Sequence, residues 1–493
     1  MNAILRRTLP LAPVAALLLA LAAAPALGAD PRQLVPQDVV KAALAGDARV
    51  QGADWDLLAA LAKAREAELR RLPSVSLSAG YTRLSDLPIS FSLAGFTFSL
   101  PSMDNAWSAG VNLQYPVFAG FRLRESARLA QVQAHGKEIA AEMIRRALVF
   151  EAERAYWEAL RASENVAMLR ESLALAAQSQ DLVSQQFTHG TAMRVDVLSA
   201  QARRDQATMD LQAAVNAQKR AFWNLAYLVD GTAQSPEGQS PEGQSPEGQS
   251  PGAQSPAAGA PGTQPPAAAD PAAGYVAPYV LAVRPEPVED TRFTTLDEAQ
   301  LISQALSNRP EIRAAGLSSA AADIGRRIAE APLYPTLAVT GGLLYADPNP
   351  RVAFQSDPGL FTGTWQVGVS LSYDLGGLPA ALAARDAQAD AAARSRSDEK
   401  RQREMVILDV ESTLLAFQQA RGDYLLVSGM IEQARENERV TAQRVAAGTA
   451  NDLDQLASRI ARLKIEFAIS NKLIDQQIAA ADLERAAALA PLP

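Results

Sequence analysis

The feature that most limits what this chain can fold into is a structural unit written twice. Trp107, Gly110, Val111, Leu113 and Tyr115 recur about 258 residues later as Trp365, Gly368, Val369, Leu371 and Tyr373. At the same offset Gly190-Thr191-Ala192 becomes Gly448-Thr449-Ala450, and Asp196 and Leu198 become Asp454 and Leu456. Upstream the offset is about 262, with Leu44 matching Leu306 and Pro73 matching Pro335. Each copy reads as a helix, short strands, a very long helix, a glycine turn and a helix back. Such a copy cannot close a small globular core by itself, so the repeat points to a building block of something larger.

Within the first copy, residues 37–72 read as helix, with Val39, Val40, Ala43, Leu44, Leu57, Leu58 and Leu61 at helical spacings. A break is expected at Ala45-Gly46-Asp47 and a stop at Pro73. The hydrophobic period then switches to two. Val75, Leu77, Ala79 and Tyr81 alternate with Ser74, Ser76, Ser78 and Gly80; Trp107, Ala109, Val111, Leu113 and Tyr115 alternate with Ser108, Gly110, Asn112 and Gln114. The second copy repeats this at Leu337, Val339, Leu343 and Tyr345, and at Trp365, Val367, Val369, Leu371 and Tyr373. Strands are expected at about 74–84, 105–117, 335–346 and 363–374. One such strand reads more readily as part of an antiparallel sheet packed on helices. Four of them, about ten residues each with aromatics near their ends and small polar residues between, carry the pattern of a membrane β-barrel. Tyr81, Trp107, Tyr115, Tyr345, Trp365 and Tyr373 are then the expected membrane-interface aromatics; plain strand packing is the alternative. The segment 86–104, with Phe91, Leu93, Phe96, Phe98 and Leu100, reads as an extended hairpin or a flap over a mouth.

Residues 121–187 hold no proline, a run of about 67 residues and, at ~1.5 Å per residue, about 100 Å of helix. His189-Gly190 supplies a turn, glycine being suited to a left-handed C-cap, and a return helix runs to about 229. The second copy matches over 378–445, Gly448 and 452–489. Alanine-rich, irregular heptads favour a helical tube over a tight two-stranded zipper. Between the copies, Gln-Ser-Pro-Glu-Gly repeats cannot bury a core and read as a disordered linker; a short edge strand is expected at 275–281. Arg6 and Arg7 before the apolar run 9–27, followed by Ala26-Leu27-Gly28, read as a secretory leader. The expected organisation is therefore a signal peptide at 1–29, a first repeat at 30–230, a linker and insertion at 231–292, and a second repeat at 293–490.

Composition removes several function classes. A net charge of −8 argues against a nucleic-acid partner, and the absence of cysteine excludes disulfides, thiolate metal sites and a lipid-modified cysteine. His135 and His189 lack ligand spacing and no phosphate loop follows a strand, so no catalytic residue, cofactor or metal is expected and the chain does not read as an enzyme. The best site is the pair of turns. Asp196 and Asp454 lie near the starts of the return helices, with Asp452 close by. They either support a helix N-terminus or, under symmetry, form rings of carboxylates that favour cations. Gly190, Thr191, Gly448 and Thr449 are read either as tight-turn chemistry or as a partner-contacting surface.

Several of these strings resemble the TolC-type outer-membrane efflux protein family: Leu72-Pro73-Ser74-Val75-Ser76-Leu77 and its echo Tyr334-Pro335-Thr336-Leu337, Tyr115-Pro116-Val117-Phe118-Ala119-Gly120, the two Gly-Thr-Ala turns leading to Asp196 and Asp454, and Asn308-Arg309-Pro310-Glu311-Ile312. The first-copy counterpart of the last, Gly46-Asp47-Ala48-Arg49-Val50, is degenerate, and Ser199 and Ala457 stand where the family often has a second Asp. The resemblance implies a mainly α protein with a transmembrane β-barrel: a homotrimer in the outer membrane of a Gram-negative bacterium, four strands per protomer in a twelve-stranded barrel, continued through the periplasm as a twelve-helix tube. It also implies a periplasmic adaptor at the turns and an inner-membrane pump as partners. The residues agree on oligomerisation, because four lipid-facing strands expose two edges and single-chain barrels need at least eight strands. A passive exit channel is the expectation; a periplasmic adaptor or a non-conducting coiled-coil scaffold is the rival.

Overall fold

The computed structural model describes residues 32–85, 89–93, 96–100, 105–231, 279–288, 297–351 and 360–489. The expected leader and nearly all of the expected linker lie outside the described residues. The elements follow in the order β1 Arg32–Leu34, α1 Pro36–Gly46, α2 Ala48–Leu69, β2 Ser74–Arg83, β3 Ile89–Leu93, β4 Phe96–Leu100, β5 Asn105–Ala119, α3 Arg122–Thr188 and α4 Arg194–Asp230. After the linker come β6 Tyr279–Leu281, α5 Glu298–Asn308, α6 Pro310–Ala329, a 3-10 turn Ala331–Leu333, β7 Thr336–Asp347, β8 Thr362–Ser372, α7 Leu378–Ala446 and α8 Asp452–Ala487. No described helix is long and apolar enough to cross a membrane.

The chain divides into two compact units, one made of residues 44–150, 288–419 and 479–493, the other of residues 1–43, 151–287 and 420–478. The first unit holds a four-stranded antiparallel sheet of order β2-β5-β7-β8. Its register keeps the two faces apart through every strand. Leu77 lies opposite Val111, Val111 opposite Leu343 and Leu343 opposite Trp365, while Ser76 lies opposite Asn112, Asn112 opposite Gly342 and Gly342 opposite Gln366. A one-residue slip would exchange the faces, so the alternation itself selects this register. Between Pro116 and Phe118 the β5–β7 ladder shifts, setting Phe118 opposite Leu337. That bulge moves Phe118 onto the apolar face, where strict alternation puts Val117. Within 86–104, β3 and β4 form an antiparallel pair separate from the large sheet, and the rest of the segment lies outside the described residues.

The helices of this unit meet through small residues. Leu301, Ala305 and Ile312 of α5 and α6 pack with Val406 and Val410 of α7 and with Ala486 and Ala487 of α8. Alanine at such positions lets helix backbones approach closely, which is why the unit closes with so few aromatics. The α5–α6 break falls at Arg309, extended because Pro310 follows it. Its guanidinium is buried and bonds Glu311 (3.1 Å) and Asp409 (2.7 Å). Burial opposes the charge on Arg309, but the two carboxylates together raise its pKa. The corresponding break in the first copy inverts the polarity. There the buried ion is Asp47, whose Oδ1 accepts from the Arg49 backbone N–H (2.7 Å) while its Oδ2 meets the half-exposed Arg49 guanidinium (2.8 Å). The degenerate motif therefore performs the same chain break with the opposite charge inside.

In the second unit α3 and α4 share a core of Val166, Leu211, Ala214 and Val215. Tyr156 is fully buried; its hydroxyl donates to Val283 O (3.2 Å) and accepts from Val283 N (3.0 Å). Burial pushes the Tyr156 phenol pKa up. The expected strand at 275–281 is described over Tyr279–Leu281 only, and it is not an edge of the large sheet: it pairs in parallel with Arg32–Leu34, a segment whose three residues show no strand period. Tyr279 also hydrogen-bonds the Asp230 carboxylate, so the two ends of the linker are tied together at its base.

The Arg49 side chain, and then its backbone N–H, hold the Asp47 carboxyl below its usual pKa. A depressed carboxyl pKa adds stability that is present above the unfolded value and is lost as pH falls through the folded one. Asp47→Asn should therefore cost about 1 kcal/mol at neutral pH, and the deficit should shrink at an acidic pH, as the carboxyl takes up its proton in the folded protein. Thermal unfolding followed by circular dichroism at both pH values checks this.

Candidate functional site

The two inter-helix turns are built alike. α3 ends at Thr188 and α7 at Ala446, and each is followed by a glycine of positive φ, Gly190 at 75° and Gly448 at 70°. Gly190 N donates to Phe187 O (3.0 Å) and Thr191 N to Gln186 O (2.9 Å); Gly448 N donates to Val445 O (2.9 Å) and Thr449 N to Arg444 O (2.8 Å). This is the paired-bond cap that closes a helix through a left-handed residue, and it explains both glycines. Each threonine adds its hydroxyl to the same carbonyl, Thr191 Oγ1 to Gln186 O (2.9 Å) and Thr449 Oγ1 to Arg444 O (3.0 Å).

The carboxylates then divide. Asp196 Oδ2 accepts from Met193 N (2.9 Å) at the start of α4. Asp454 Oδ2 accepts from Asn451 N (3.3 Å), while Asn451 Oδ1 accepts from Asp454 N (2.8 Å), a reciprocal cap at the start of α8. In both, one oxygen serves the helix N-terminus and the other is left over. Asp452 makes no hydrogen bond or ion pair among the described residues and lies exposed in the first turn of α8. Also in this unit, α3, α4 and α8 leave a groove of about 470 Å³, with Ala176, Ala202 and Ala457 on its walls and Arg203, Asp210 and Lys464 at its margin. No local motif announces it, because its walls come from helices distant in sequence.

The other expected group sits on the sheet, in the first unit. Tyr81 and Trp107 are cross-strand partners with ring centroids 4.4 Å apart, and Tyr81 OH donates to Asn105 Oδ1 (2.9 Å). Tyr345 stacks on Phe361 at 5.3 Å near the same end of the sheet. Tyr115 and Tyr373 lie at the helix-bearing end, where Tyr373 OH donates to Leu333 O (3.4 Å). None is buried, and Trp365 is 75% exposed. Leu77 (82%) and Leu371 (71%) share that exposure, so the apolar face is uncovered in the protomer. What alternation missed is a third cluster at the helix-bearing end. Phe118, Phe121 and Tyr334 meet edge to face at 5.1, 5.9 and 6.4 Å. Gly120 makes it possible: a Cβ there would stand 2.3 Å from Ala331 O. No group of three or more His, Asp or Glu side chains among the described residues could hold a metal.

Replacing Asn451 with Ala removes one half of the reciprocal cap and should cost about 1 kcal/mol of local helix stability. Faster amide exchange at Asp454 and Gln455, with exchange at Asp196 unchanged, is the expected readout.

No curated protein matches the chain at a significant level. Among solved structures it is similar to a membrane protein from Pseudomonas aeruginosa (21% identity, TM-score 0.67, covering 92% of this chain and 93% of that one). It is similar also to the CmeC outer membrane channel of Campylobacter jejuni (15%, TM-score 0.70, 92% and 85%) and to the outer membrane protein VceC of Vibrio cholerae (18%, TM-score 0.67, 92% and 95%). At these identities the likeness is one of fold. The family model described as outer membrane efflux protein matches residues 39–230 and 301–489, most of both copies, and the chain belongs to that family.

Proposed function

We propose that the chain is the outer-membrane exit channel of an efflux or type I secretion assembly, a passive duct for cargo handed over by an inner-membrane pump and a periplasmic adaptor. One observation carries the reading: a sheet with an uncovered apolar face, a small polar face behind it, and unpaired edges at β2 and β8. In water the apolar face is costly, and in lipid the edges are, since unpaired backbone groups there have no partner. Three copies joined edge to edge satisfy both demands, making a twelve-stranded barrel with lipid outside and a wet lumen inside. From Trp107 to Tyr115 the strand path is about 27 Å at ~3.4 Å per residue, and the same interval separates Trp365 from Tyr373. That spacing suits two aromatic belts, with Tyr81, Trp107, Tyr345 and Trp365 toward one interface and Tyr115 and Tyr373 toward the other. Four long helices per protomer continue the wall as a periplasmic tube of twelve, and residues 1–29 direct export.

In this reading the turns form the periplasmic mouth. Asp196, Asp452 and Asp454 become rings of carboxylates under three-fold symmetry, and such rings favour cations. Asp452, with both oxygens unengaged, and the spare oxygens of Asp196 and Asp454 are the groups available to line it. The faces around Gly190, Thr191, Gly448 and Thr449, with the alanine-walled groove between α3, α4 and α8, suit the helical tip of an adaptor. Nothing in the site performs chemistry, so selection of cargo belongs to the pump.

Purified chain in planar bilayers should show ion conductance and heat-modifiable migration; a soluble, non-conducting monomer rejects the channel. Asp452→Asn/Asp454→Asn should lower the preference for cations over anions, read from the reversal potential under a salt gradient. A photo-crosslinker at Thr191 or Thr449 should capture a co-expressed adaptor, whereas one at the exposed Arg394 of α7 should not.

A further inference from the structure

We propose that the helix-bearing end of the sheet carries a basic collar that holds anionic phospholipid headgroups; this rests on the membrane-barrel reading. The chain is acidic as a whole, yet positive charge collects without partners at the junctions of α2 with β2 and of β5 with α3. Arg71 lies three residues before β2, and Arg122 and Arg124 lie three and five residues beyond the end of β5. The register, with Ser74 opposite Gln114, brings both junctions to one end of the sheet. All three side chains are exposed and, like that of Arg128, make no hydrogen bond or ion pair among the described residues. The exposed carboxylates around the junctions are already matched, Glu66 to Arg70 (2.8 Å), Glu330 to Arg326, and Asp374 to Gly377 N (3.0 Å), while the buried Glu125 faces Arg327 at 3.7 Å with its Oε2 making no hydrogen bond.

The placement is electrostatically unfavourable, because Arg122 and Arg124 outnumber the one carboxylate of the same helical turn, the buried Glu125. Arg122 and Arg124 occupy the first turn of α3, the positive end of a 67-residue helix. Carboxylates are stabilising there and cations are not. A second oddity adjoins them. Phe121 adopts φ 67°, a left-handed conformation rare for an aromatic residue, and its ring is 52% exposed beside Phe118 and Tyr334. Leu72, next to Arg71, is likewise exposed. Apolar anchors flanked by unpaired guanidiniums match the boundary between acyl chains and phosphate. A guanidinium fork grips phosphate oxygens in two places. The occupant is therefore an anionic phospholipid of the leaflet on the helix side, continuous with the lipid that covers the apolar face.

The test uses the full chain purified in detergent and native mass spectrometry of lipid retention from equal amounts of phosphatidylglycerol and phosphatidylethanolamine. The assembled channel should retain phosphatidylglycerol preferentially. Each basic residue near an anionic surface contributes about fivefold, so R71Q/R122Q/R124Q should weaken retention ~100-fold. R71K/R122K/R124K, which keeps the charge, should retain most of it and controls for folding. Equal retention by the wild type and the glutamine variant overturns the collar, as does complete displacement of the lipid by inorganic phosphate. Heat-modifiable insertion of the same wild-type sample into vesicles is scored separately: insertion without lipid preference sinks the collar alone, and absence of insertion sinks the barrel reading and the collar with it.

Discussion

Backbone amides at a strand edge and apolar side chains on a sheet face both need a partner, and in this protein one four-stranded sheet presents both needs at once. Its β2 and β8 edges are open, and Leu77, Trp365, Val367, Val369 and Leu371 stand uncovered on one side. A soluble sheet would fold a helix over that face. Here the helices attach at one end of the sheet and pack among themselves through Ala305, Ala486 and Ala487. In the proposed channel the apolar face meets lipid and the edges meet further copies of the same sheet.

The same constraint accounts for the local devices. The bulge after Pro116 and the left-handed Gly120-Phe121 pair turn a strand of period two into a helix of period 3.6 without losing an apolar contact at the junction. Gly120 is required there by the approach of Ala331 O, and the aromatic cluster beside it caps the sheet end. At the distal turns the requirement is different: Gly190 and Gly448 face open space, and only their φ demands glycine.

The two copies have diverged in chemistry while keeping geometry. Both break their short helices at equivalent places, one around a buried Asp47 and the other around a buried Arg309. Each solution needs a counter-ion, and each finds it two residues on, in Arg49 and Glu311. The second adds Asp409 of α7, tying the break to a long helix. At the turns, the first copy caps α4 with Asp196 alone, while the second pairs Asn451 with Asp454 and leaves Asp452 unused.

The sequence by itself determined the duplication, the element types, the strand faces and the positions of both turns, because each is a local periodicity or a residue with a fixed backbone preference. It placed Asp196 and Asp454 correctly at the helix starts, since a carboxylate three residues past a cap is a short-range signal. Tertiary structure decided what depends on partners remote in sequence. The joining of β5 to β7 merges the two copies into one sheet, and the parallel β1–β6 pair links segments more than two hundred residues apart, neither with a pattern long enough to read. The Phe118 switch of face needed the register against β7, and the α3–α4–α8 groove needed three helices in place. Periodicity tells a residue which side it faces; only the fold tells it what stands opposite.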